Sequence, residues 1–291
     1  MSSGVVGRFA PTPSGRMHLG NVYAAMMAYL SAKSKGGSFL VRIEDLDRER
    51  SYKDIADETI ADLKRLGFEI DGEILYQSER FEIYREYEQI LRDKGLLYPC
   101  FCSRAELHAA TAPHASDGSY VYDGKCRNLT EQEIEQKSAT RRPCLRMRVP
   151  DETVELTDGI CGKYSQNLAR DCGDFIIKRS DGVFAYQLAV VVDDALSGVT
   201  EVVRGDDLLS STPRQIWLQR TLGFNTPSYK HLPLLTAADG RRLSKRDGDT
   251  LAYALEHNTP EQIIGDLAFR AGLTRTPDPI SLKDLLSIYS E

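Results

Sequence analysis

The sequence contains no apolar run that approaches the roughly 18 residues needed to cross a lipid bilayer. Residues 1–8 lack the apolar segment of a secretory signal peptide, and no internal repeat or low-complexity segment is present. The net charge of −6 lacks the positive excess of a protein that coats nucleic acid. We therefore expect a cytoplasmic protein that does not contact a membrane, and whose six cysteines are reduced thiols or metal ligands.

The 291 residues, of which 41% are hydrophobic, are enough for one large domain or for a domain with an insertion. Positive charge is concentrated in two places despite the negative total, at 141–148 and at 241–246. These arginines form either a local basic surface or an ordinary solvated face, and composition alone leaves both interpretations open.

A strand, a Pro/Gly-rich turn and a helix follow one another near the N-terminus, an order typical of a nucleotide-phosphate site. The apolar run 5–9 predicts the strand, and 22–33 predicts the helix, whose free N–H groups and positive dipole end would face an anion. His18 lies just before this helix, where its imidazole can donate a hydrogen bond to a phosphate oxygen. Two prolines stiffen the turn and two glycines allow close backbone approach: Pro11, Pro13, Gly15 and Gly20.

Two separated segments together resemble the signatures of class I aminoacyl-tRNA synthetases. His18-Leu-Gly-Asn21 is similar to the "HIGH" signature, and Arg242-Leu-Ser-Lys-Arg246 is similar to the "KMSKS" signature. A single histidine is more often a surface or core residue than a catalytic one, so the inference depends on the pair. Asn21 replaces the usual final histidine, and we expect it to make a lesser contact or none. The resemblance implies catalytic roles for His18 and Lys245, and an ATP site formed by Pro11, Ser14, Gly15, His18, Gly20, Asn21, Arg242, Leu243, Ser244, Lys245 and Arg246.

A second strand is predicted at 38–43, and the acidic segment 44–47 follows it. Acidic residues at the carboxyl end of a parallel strand lie where ligands bind in open α/β sheets. Glu44 is therefore either a partner for a substrate ammonium group or a helix-capping or surface carboxylate. Arg8, in the first strand, has a guanidinium suited to bidentate binding of a carboxylate.

The segments Arg-Phe-Ala-Pro-Thr-Pro-Ser-Gly at 8–15 and Arg-Ile-Glu-Asp at 42–45 resemble the glutamate-specific branch of the class I synthetases. From the residues alone, Tyr186 is as readily a core aromatic residue as a substrate ligand. The resemblance implies a glutamate site formed by Arg8, Phe9, Ala10, Pro11, Thr12, Ser14, Glu44, Tyr186 and Arg204.

Three cysteines lie close together in sequence, Cys100, Cys102 and Cys126. They suggest a structural Zn²⁺ site, although three unligated thiols near a turn would give the same spacing. A tetrahedral site needs a fourth ligand, and the candidates are Tyr122, His108 and His114. Glutamyl-queuosine tRNA(Asp) synthetases carry such a cluster with a tyrosine in the pattern Tyr-Asp-Gly-x-Cys. The sequence at 122–126 resembles that pattern, which implies Tyr122, and the cysteines at 144, 161 and 172 are predicted to be structural.

The resemblance implies an α/β fold with a Rossmann-like parallel sheet, an inserted zinc-bearing subdomain and a short C-terminal helical extension. The expected divisions are 1–97 for the first half of the catalytic domain, 98–190 for the inserted, acceptor-like subdomain, 191–250 for the second half with the Ser-Lys loop, and 251–291 for the extension.

Hydrophobic periodicity and residues that begin or end helices and strands predict the remaining elements. Helices are expected at 54–66, 80–94, 211–222, 260–271 and 281–287. Strands are expected at 145–149, 201–205 and 229–235, with a hairpin at 175–186. The valine-rich segment 187–194 allows a strand, but the resemblance implies a helix. His231 is predicted to be structural rather than catalytic.

Glutamyl-queuosine tRNA(Asp) synthetases activate L-glutamate with ATP and transfer it to the queuosine base in the anticodon loop of tRNA(Asp). The cysteine cluster, the segment 202–215 and the chain length resemble that group, since we expect no anticodon-binding domain after Lys245. The resemblance implies L-glutamate, ATP with Mg²⁺, a structural Zn²⁺ and the queuosine-bearing anticodon stem-loop of tRNA(Asp) as ligands. We expect a monomer.

Three alternatives remain open at this stage. Residues 245–248, Lys-Arg-Asp-Gly, resemble an ordinary glutamyl-tRNA synthetase at least as well, so the first is a truncated enzyme that charges the 3′ end of tRNA(Glu). The second is another adenylyl- or nucleotidyl-transferring enzyme, which would not need glutamate. The third is a non-catalytic zinc-bearing tRNA-binding module, against which the presence of both phosphate-site signatures argues.

Overall fold

The structure is a computed structural model that describes residues 4–103, 106, 121–235 and 250–290. The first unit of the fold comprises Met1–Glu79, Gly198–Asp206 and Pro227–Glu291, and the second unit comprises Arg80–Ser197 and Asp207–Thr226. Among the described residues, no helix is both long enough and apolar enough to cross a membrane.

Strands and α-helices alternate over residues 6–138 of the described chain, and four successive strands and, later, three successive helices occur in the rest of it. The strands are β1 (Val6–Phe9), β2 (Ser38–Ile43), β3 (Leu75–Tyr76), β4 (Leu97–Cys100), β5 (Cys144–Met147), β6 (Thr153–Asp158), β7 (Gly162–Asn167), β8 (Phe175–Lys178), β9 (Glu201–Gly205) and β10 (Ser228–Leu232). The helices are α1 (Leu19–Lys33), α2 (Lys53–Arg65), α3 (Phe81–Asp93), α4 (Glu131–Ser138), α5 (Tyr186–Leu196), α6 (Thr212–Leu222), α7 (Leu251–His257), α8 (Pro260–Arg270) and α9 (Leu282–Tyr289).

The first unit is built on parallel strands. One sheet has the order β1-β2-β3, and β9 pairs with β10 in parallel. Thr200, just before β9, joins the two sets, because its N–H donates to the Val6 carbonyl and its Oγ1 accepts from the Val6 N–H, both at 2.9 Å. The strands therefore follow one another as β3-β2-β1-β9-β10, and the chain leaves β1 in opposite directions to reach β2 and β9. Such a reversal is the topological switch point at which open α/β sheets bind ligands.

Helix α1 is apolar on nearly every side, which predicts a helix covered by protein all round. Val22, Met26 and Leu30 are fully buried in it. The Tyr29 ring contacts Phe39 and Phe68 edge-on, with ring centroids 5.3 and 5.4 Å away. Full burial of each such side chain contributes about 1.5–3 kcal/mol, so these contacts hold α1 against β2.

The second unit contains antiparallel strands. Its sheet has the order β4-β5-β8, and β6 and β7 form a separate hairpin. The valine-rich segment is helical, as expected from the resemblance, and residues 188–194 of α5 are buried. Its Asp193 carboxylate is fully buried and accepts hydrogen bonds from Arg80 at 2.7 Å and Tyr84 at 2.8 Å. Arg80 lies just before α3 and Tyr84 lies within it, so the two hydrogen bonds connect α3 to α5.

Most predicted elements are confirmed to within a few residues, and the differences are local. Helix α1 begins at Leu19 rather than Val22, because His18 caps it. The predicted strand 229–235 ends at Leu232. At the predicted 175–186 hairpin, β8 ends at Lys178, which forms an antiparallel bridge with Phe184. Backbone hydrogen bonds from Arg179 to the Val183 carbonyl and from Ala185 to the Ile177 carbonyl flank this bridge.

Candidate active site

Arg8 and Arg204 lie on the two strands that flank the switch point, β1 and β9. Both strands begin beside the Val6–Thr200 hydrogen bonds and contact each other beyond them, so they run in the same direction and their carboxyl ends lie at one edge of the first unit. Both arginines are buried, with 4% and 6% of their surface exposed. A buried guanidinium is costly unless hydrogen-bonding or anionic groups surround it, which makes this pair a candidate for carboxylate recognition.

Arg204 is held by a residue of the neighbouring strand. Its Nε donates to Nε2 of His231, 3.1 Å away, and the two residues are register partners across β9 and β10. The Arg204 guanidinium carbon lies 5.4 Å from the ring centroid of Tyr229. Two aromatic side chains of β10 therefore limit the orientation of this guanidinium.

Glu44 follows β2 at the same edge of the sheet. Its Oε1 accepts a hydrogen bond from Nη2 of Arg42 at 3.1 Å, and the Arg42 side chain is only 4% exposed. The Glu44 N–H donates to the Pro11 carbonyl at 2.9 Å. The acidic segment and the proline turn are thus joined through their backbones, and Glu44 is a half-buried, ion-paired carboxylate rather than a surface group.

His18 is the N-cap of α1 and forms a reciprocal pair with Asn21. The backbone N–H of Asn21 donates to His18 Nδ1 at 3.3 Å, while Oδ1 of Asn21 accepts from the His18 N–H at 3.1 Å. An accepting Nδ1 carries no proton, so the ring is neutral in this arrangement and its hydrogen is on Nε2. The imidazole can therefore donate to a phosphate oxygen, and the Asn21 side chain orients it.

Gly20 is required by the position of this ring. A Cβ atom on Gly20 would lie 3.0 Å from both Cε1 and Nδ1 of His18. Such a separation is tighter than nine in ten contacts that Cβ atoms make, so a larger residue would require the imidazole to shift by a few tenths of an ångström. The glycine thus allows the histidine ring to fold over the first turn of its own helix.

The predicted phosphate-loop residues Arg242, Leu243, Ser244, Lys245 and Arg246 lie outside the described residues, as do His108 and His114. The chain that follows the loop is described, and Thr250 forms an antiparallel bridge with His18. The N–H of Leu251 also donates to the Met17 carbonyl at 2.8 Å. The segment after the loop is therefore hydrogen-bonded next to His18.

The other predicted glutamate ligands occupy different environments. Phe9 and Pro11 are buried, whereas Thr12 and Ser14 are exposed in the turn. Tyr186 is half-buried and begins α5, in the second unit. Its participation in a site with the two arginines stays a prediction.

The three cysteines expected to bind zinc converge in the second unit. Their Sγ atoms all lie within 4.8 Å of one another, and those of Cys102 and Cys126 are 3.6 Å apart. A tetrahedral zinc ion with Zn–S bonds of about 2.3 Å would hold its sulfur ligands about 3.8 Å apart. The sulfur atoms of Cys100, Cys102 and Cys126 are therefore spaced as ligands of one ion would be.

Tyr122 supplies an oxygen atom to the same cluster. Its Oη lies 3.5 Å from Sγ of Cys100 and 3.7 Å from Sγ of Cys102, and an oxygen ligand at about 2.0 Å from zinc would lie about 3.5 Å from a sulfur ligand. Interactions with the side chains of Cys144 and Tyr122 lower the pKa of the Cys100 thiol to about 4, whereas burial raises the pKa of the Cys102 thiol to about 12. The four predicted ligands fit a tetrahedral zinc site in their spacing.

The backbone around Tyr122 depends on Gly173. The two residues form a parallel bridge, and a Cβ on Gly173 would lie 2.8 Å from the Tyr122 nitrogen. Gly173 also has a φ of +66°, which L side chains rarely adopt. On the other side, the Arg146 guanidinium stacks on the Tyr122 ring, 3.9 Å from its centroid. Tyr122 is thus fixed from both directions.

Sequence reasoning missed two residues of the site. Arg42 stands two positions before Glu44, and residues at this spacing share one face of a strand, so the pair was detectable from spacing. His231 was assigned a structural role, since only the register of β9 and β10 brings it to Arg204. No local pattern in the sequence reports that pairing.

Most of the chain matches a known family. A family model for the catalytic domain of class I tRNA synthetases (E and Q) covers residues 4–278. The chain belongs to this family and is a ligase of the class I aminoacyl-tRNA synthetase type.

Individual proteins show which members of the family this chain is similar to. A glutamyl-Q tRNA(Asp) synthetase from Neisseria meningitidis serogroup C is 49% identical over 280 residues, which cover 96% of this chain and 92% of the relative. A protein of the same name from Geobacter sulfurreducens is 52% identical over 244 residues, 84% of this chain and 76% of the relative. The crystal structure of a glutamate-tRNA synthetase from Elizabethkingia anophelis superposes with a TM-score of 0.83 at 28% identity over 99% of this chain, which spans 66% of that protein. The resemblance inferred from the sequence is confirmed.

Proposed function

We propose that this protein activates L-glutamate with ATP and transfers the glutamyl group to queuosine in the anticodon loop of tRNA(Asp). The activation of glutamate is supported by one observation, the burial of Arg8 and Arg204 on the two strands that flank the switch point. The transfer to queuosine is supported by the relatives named glutamyl-Q tRNA(Asp) synthetase.

The first unit supplies charges of the right sign for glutamate. The amino acid has two carboxylates and one ammonium group at neutral pH. In our proposal Arg8 and Arg204 each bind one carboxylate, and Glu44, oriented by Arg42, accepts from the ammonium group. This arrangement would discriminate against glutamine, because a neutral amide binds a guanidinium less strongly than a carboxylate does.

The first reaction is an in-line attack by a carboxylate oxygen of glutamate on the α-phosphorus of ATP. A new P–O bond forms, the bond to the β-phosphate oxygen breaks, and pyrophosphate leaves with the bonding electrons. The glutamate carboxylate is already ionised at pH 7, so this step needs no general base. Catalysis therefore consists of positioning and charge stabilisation.

His18 is the described residue suited to that stabilisation. Its Nε2–H can donate to a phosphate oxygen at the N-terminus of α1, where backbone N–H groups also favour an anion. Thr250 pairs with His18 and is five residues after Lys245. Since five extended residues span at most about 18 Å, the chain length is compatible with Lys245 and His18 acting on one triphosphate.

Class I synthetases use ATP with Mg²⁺, and the ion would neutralise charge on the phosphate oxygens. In the second step a cyclopentene hydroxyl of queuosine attacks the carbonyl carbon of the adenylate. An ester forms while the bond to the phosphate oxygen breaks, and AMP leaves. We further propose that Cys100, Cys102, Tyr122 and Cys126 hold a structural Zn²⁺, and that the protein acts as a cytoplasmic monomer.

The similarity to a glutamate-tRNA synthetase favours a second candidate, charging of the 3′ end of tRNA(Glu). Purified protein should therefore be incubated with ATP, labelled glutamate and one of three RNAs: tRNA(Asp) with queuosine, tRNA(Asp) lacking it, or tRNA(Glu). We expect label only on the first. Label on tRNA(Glu) alone would replace the proposed acceptor with the second candidate.

Glutamate-dependent exchange of pyrophosphate into ATP tests the activation step without any RNA acceptor. We expect exchange with L-glutamate and far less with L-glutamine or L-aspartate. Exchange that does not need an amino acid would indicate a different nucleotidyl-transferring enzyme. Binding of tRNA with neither exchange nor transfer would indicate a non-catalytic module.

A further inference from the structure

His231 is a buried polar residue outside the sites predicted from the sequence. It has no exposed surface, it lies in β10, and its Nε2 accepts the Nε–H of Arg204 at 3.1 Å. The ring is also stacked on Tyr229, with centroids 6.0 Å apart and planes 12° from parallel. A histidine that merely fills a core needs no such alignment with a guanidinium of the adjacent strand.

This hydrogen bond fixes the orientation of the Arg204 side chain. Arginine has five N–H donors in a planar fork, and the Nε–H is directed to His231. Because the fork is planar, a bond at Nε sets the plane of the whole guanidinium. Because Nε2 accepts, it carries no proton, so the ring does not add a second positive charge beside Arg204.

We propose that His231 is a positioning residue for glutamate: it holds the Arg204 guanidinium in the one orientation in which it binds a substrate carboxylate. Tyr229 completes the arrangement, since its ring limits rotation of the guanidinium from a second side. The inference rests on the proposed role of Arg204 in glutamate binding, and it predicts that His231 acts on glutamate recognition and leaves ATP binding unchanged.

The test compares two variants of the whole protein in pyrophosphate exchange. His231→Phe keeps an aromatic ring for stacking but removes the acceptor, whereas the amide oxygen of His231→Gln can still accept from Nε. Hydrogen bonds to charged groups change an equilibrium by roughly 10- to 100-fold. We expect the KM for glutamate to rise by that order in His231→Phe, to recover partly in His231→Gln, and the KM for ATP to stay within about twofold in both.

Other results overturn the proposal. A His231→Phe enzyme with the parental KM for glutamate would refute it, as would equal increases of the KM values for glutamate and ATP, which a general loss of structure produces. If His231→Phe does not fold, Arg204→Lys provides the alternative, because it removes Nε. His231→Gln should then add no further increase in the glutamate KM, and an additive increase contradicts the coupling. Absence of glutamate-dependent exchange in the parental enzyme would instead refute the proposed function.

Discussion

Nδ1 of His18 accepts the backbone N–H of Asn21, and the Asn21 side chain accepts the backbone N–H of His18 in return. This reciprocal pair at the start of α1 selects the imidazole tautomer with its hydrogen on Nε2. The departure from the family signature at Asn21 therefore has a local purpose, which is to cap the helix and to orient the histidine.

Replacement of His18 by alanine should lower glutamate-dependent exchange by roughly 10²–10³-fold, the usual effect of losing one preorganised donor to a developing charge. The same loss is expected for Lys245→Ala. His257→Ala is a suitable control, because His257 is exposed on α7, and it should exchange at the parental rate. Near-normal exchange in either variant would reject the role assigned to that residue.

Gly20→Ala should reduce exchange without reducing stability. The added methyl group would lie 3.0 Å from the His18 ring and displace it, whereas alanine in place of glycine within a helix adds up to about 1 kcal/mol of stability. Exchange kinetics and urea unfolding measure the two effects separately. In a His18→Ala background the same change should have no further effect on the rate, and an independent loss there would disprove the steric explanation.

Removal of one zinc ligand should abolish metal binding. Purified protein is expected to contain about one Zn²⁺ per chain, Cys126→Ser to contain much less, and the exposed Cys161→Ser to match the parent. Because a structural metal contributes to folding, a chelator should lower the Tm of the parent more than that of Cys126→Ser. Elemental analysis that finds no zinc in the parent would eliminate the proposed site.

The buried Glu201 carboxylate should make stability depend on acidity. Burial alone would raise its pKa, but hydrogen bonds from Ser31, Lys35 and Lys230 outweigh burial and lower the pKa. A carboxyl group whose pKa is lower in the folded state stabilises the protein at pH values above its pKa in the unfolded chain, which is about 4.3. This contribution to stability is lost as the pH falls through the pKa of the folded state.

Glu201→Gln should therefore be less stable than the parent at pH 7, and the difference should shrink as the pH falls below about 4. Urea unfolding at several pH values measures it, with the exposed Glu256→Gln as control. A difference that is constant with pH would show that the ionised carboxylate is not the stabilising group.

Elements with a strong pattern of their own were predictable. The apolar, mostly β-favouring run of β2 matches the observed bounds Ser38–Ile43. The helix α4 was missed because none of its residues is buried, although Thr130 and Glu133 form a capping box that marks its start. The α5 helix was obtained from the resemblance rather than from its valines, whose β preference is overridden by packing.

The candidate site was predictable to the extent that its residues stand in recognisable motifs. Arg8, His18 and Glu44 were found in this way, and the structure places each at a strand end or a helix start. Pairings between distant residues could not be predicted, because they depend on strand order and register. The bond between Arg204 and His231 is such a pairing, and so is the approach of Thr250 to His18.

The hydrogen bonds between Val6 and Thr200 join strands that are nearly two hundred positions apart in sequence. Residues 80–197, which lie between these two partners in sequence, belong to the second unit. Substitutions in that stretch would consequently leave both hydrogen bonds, and with them the alignment of β1 and β9, in place.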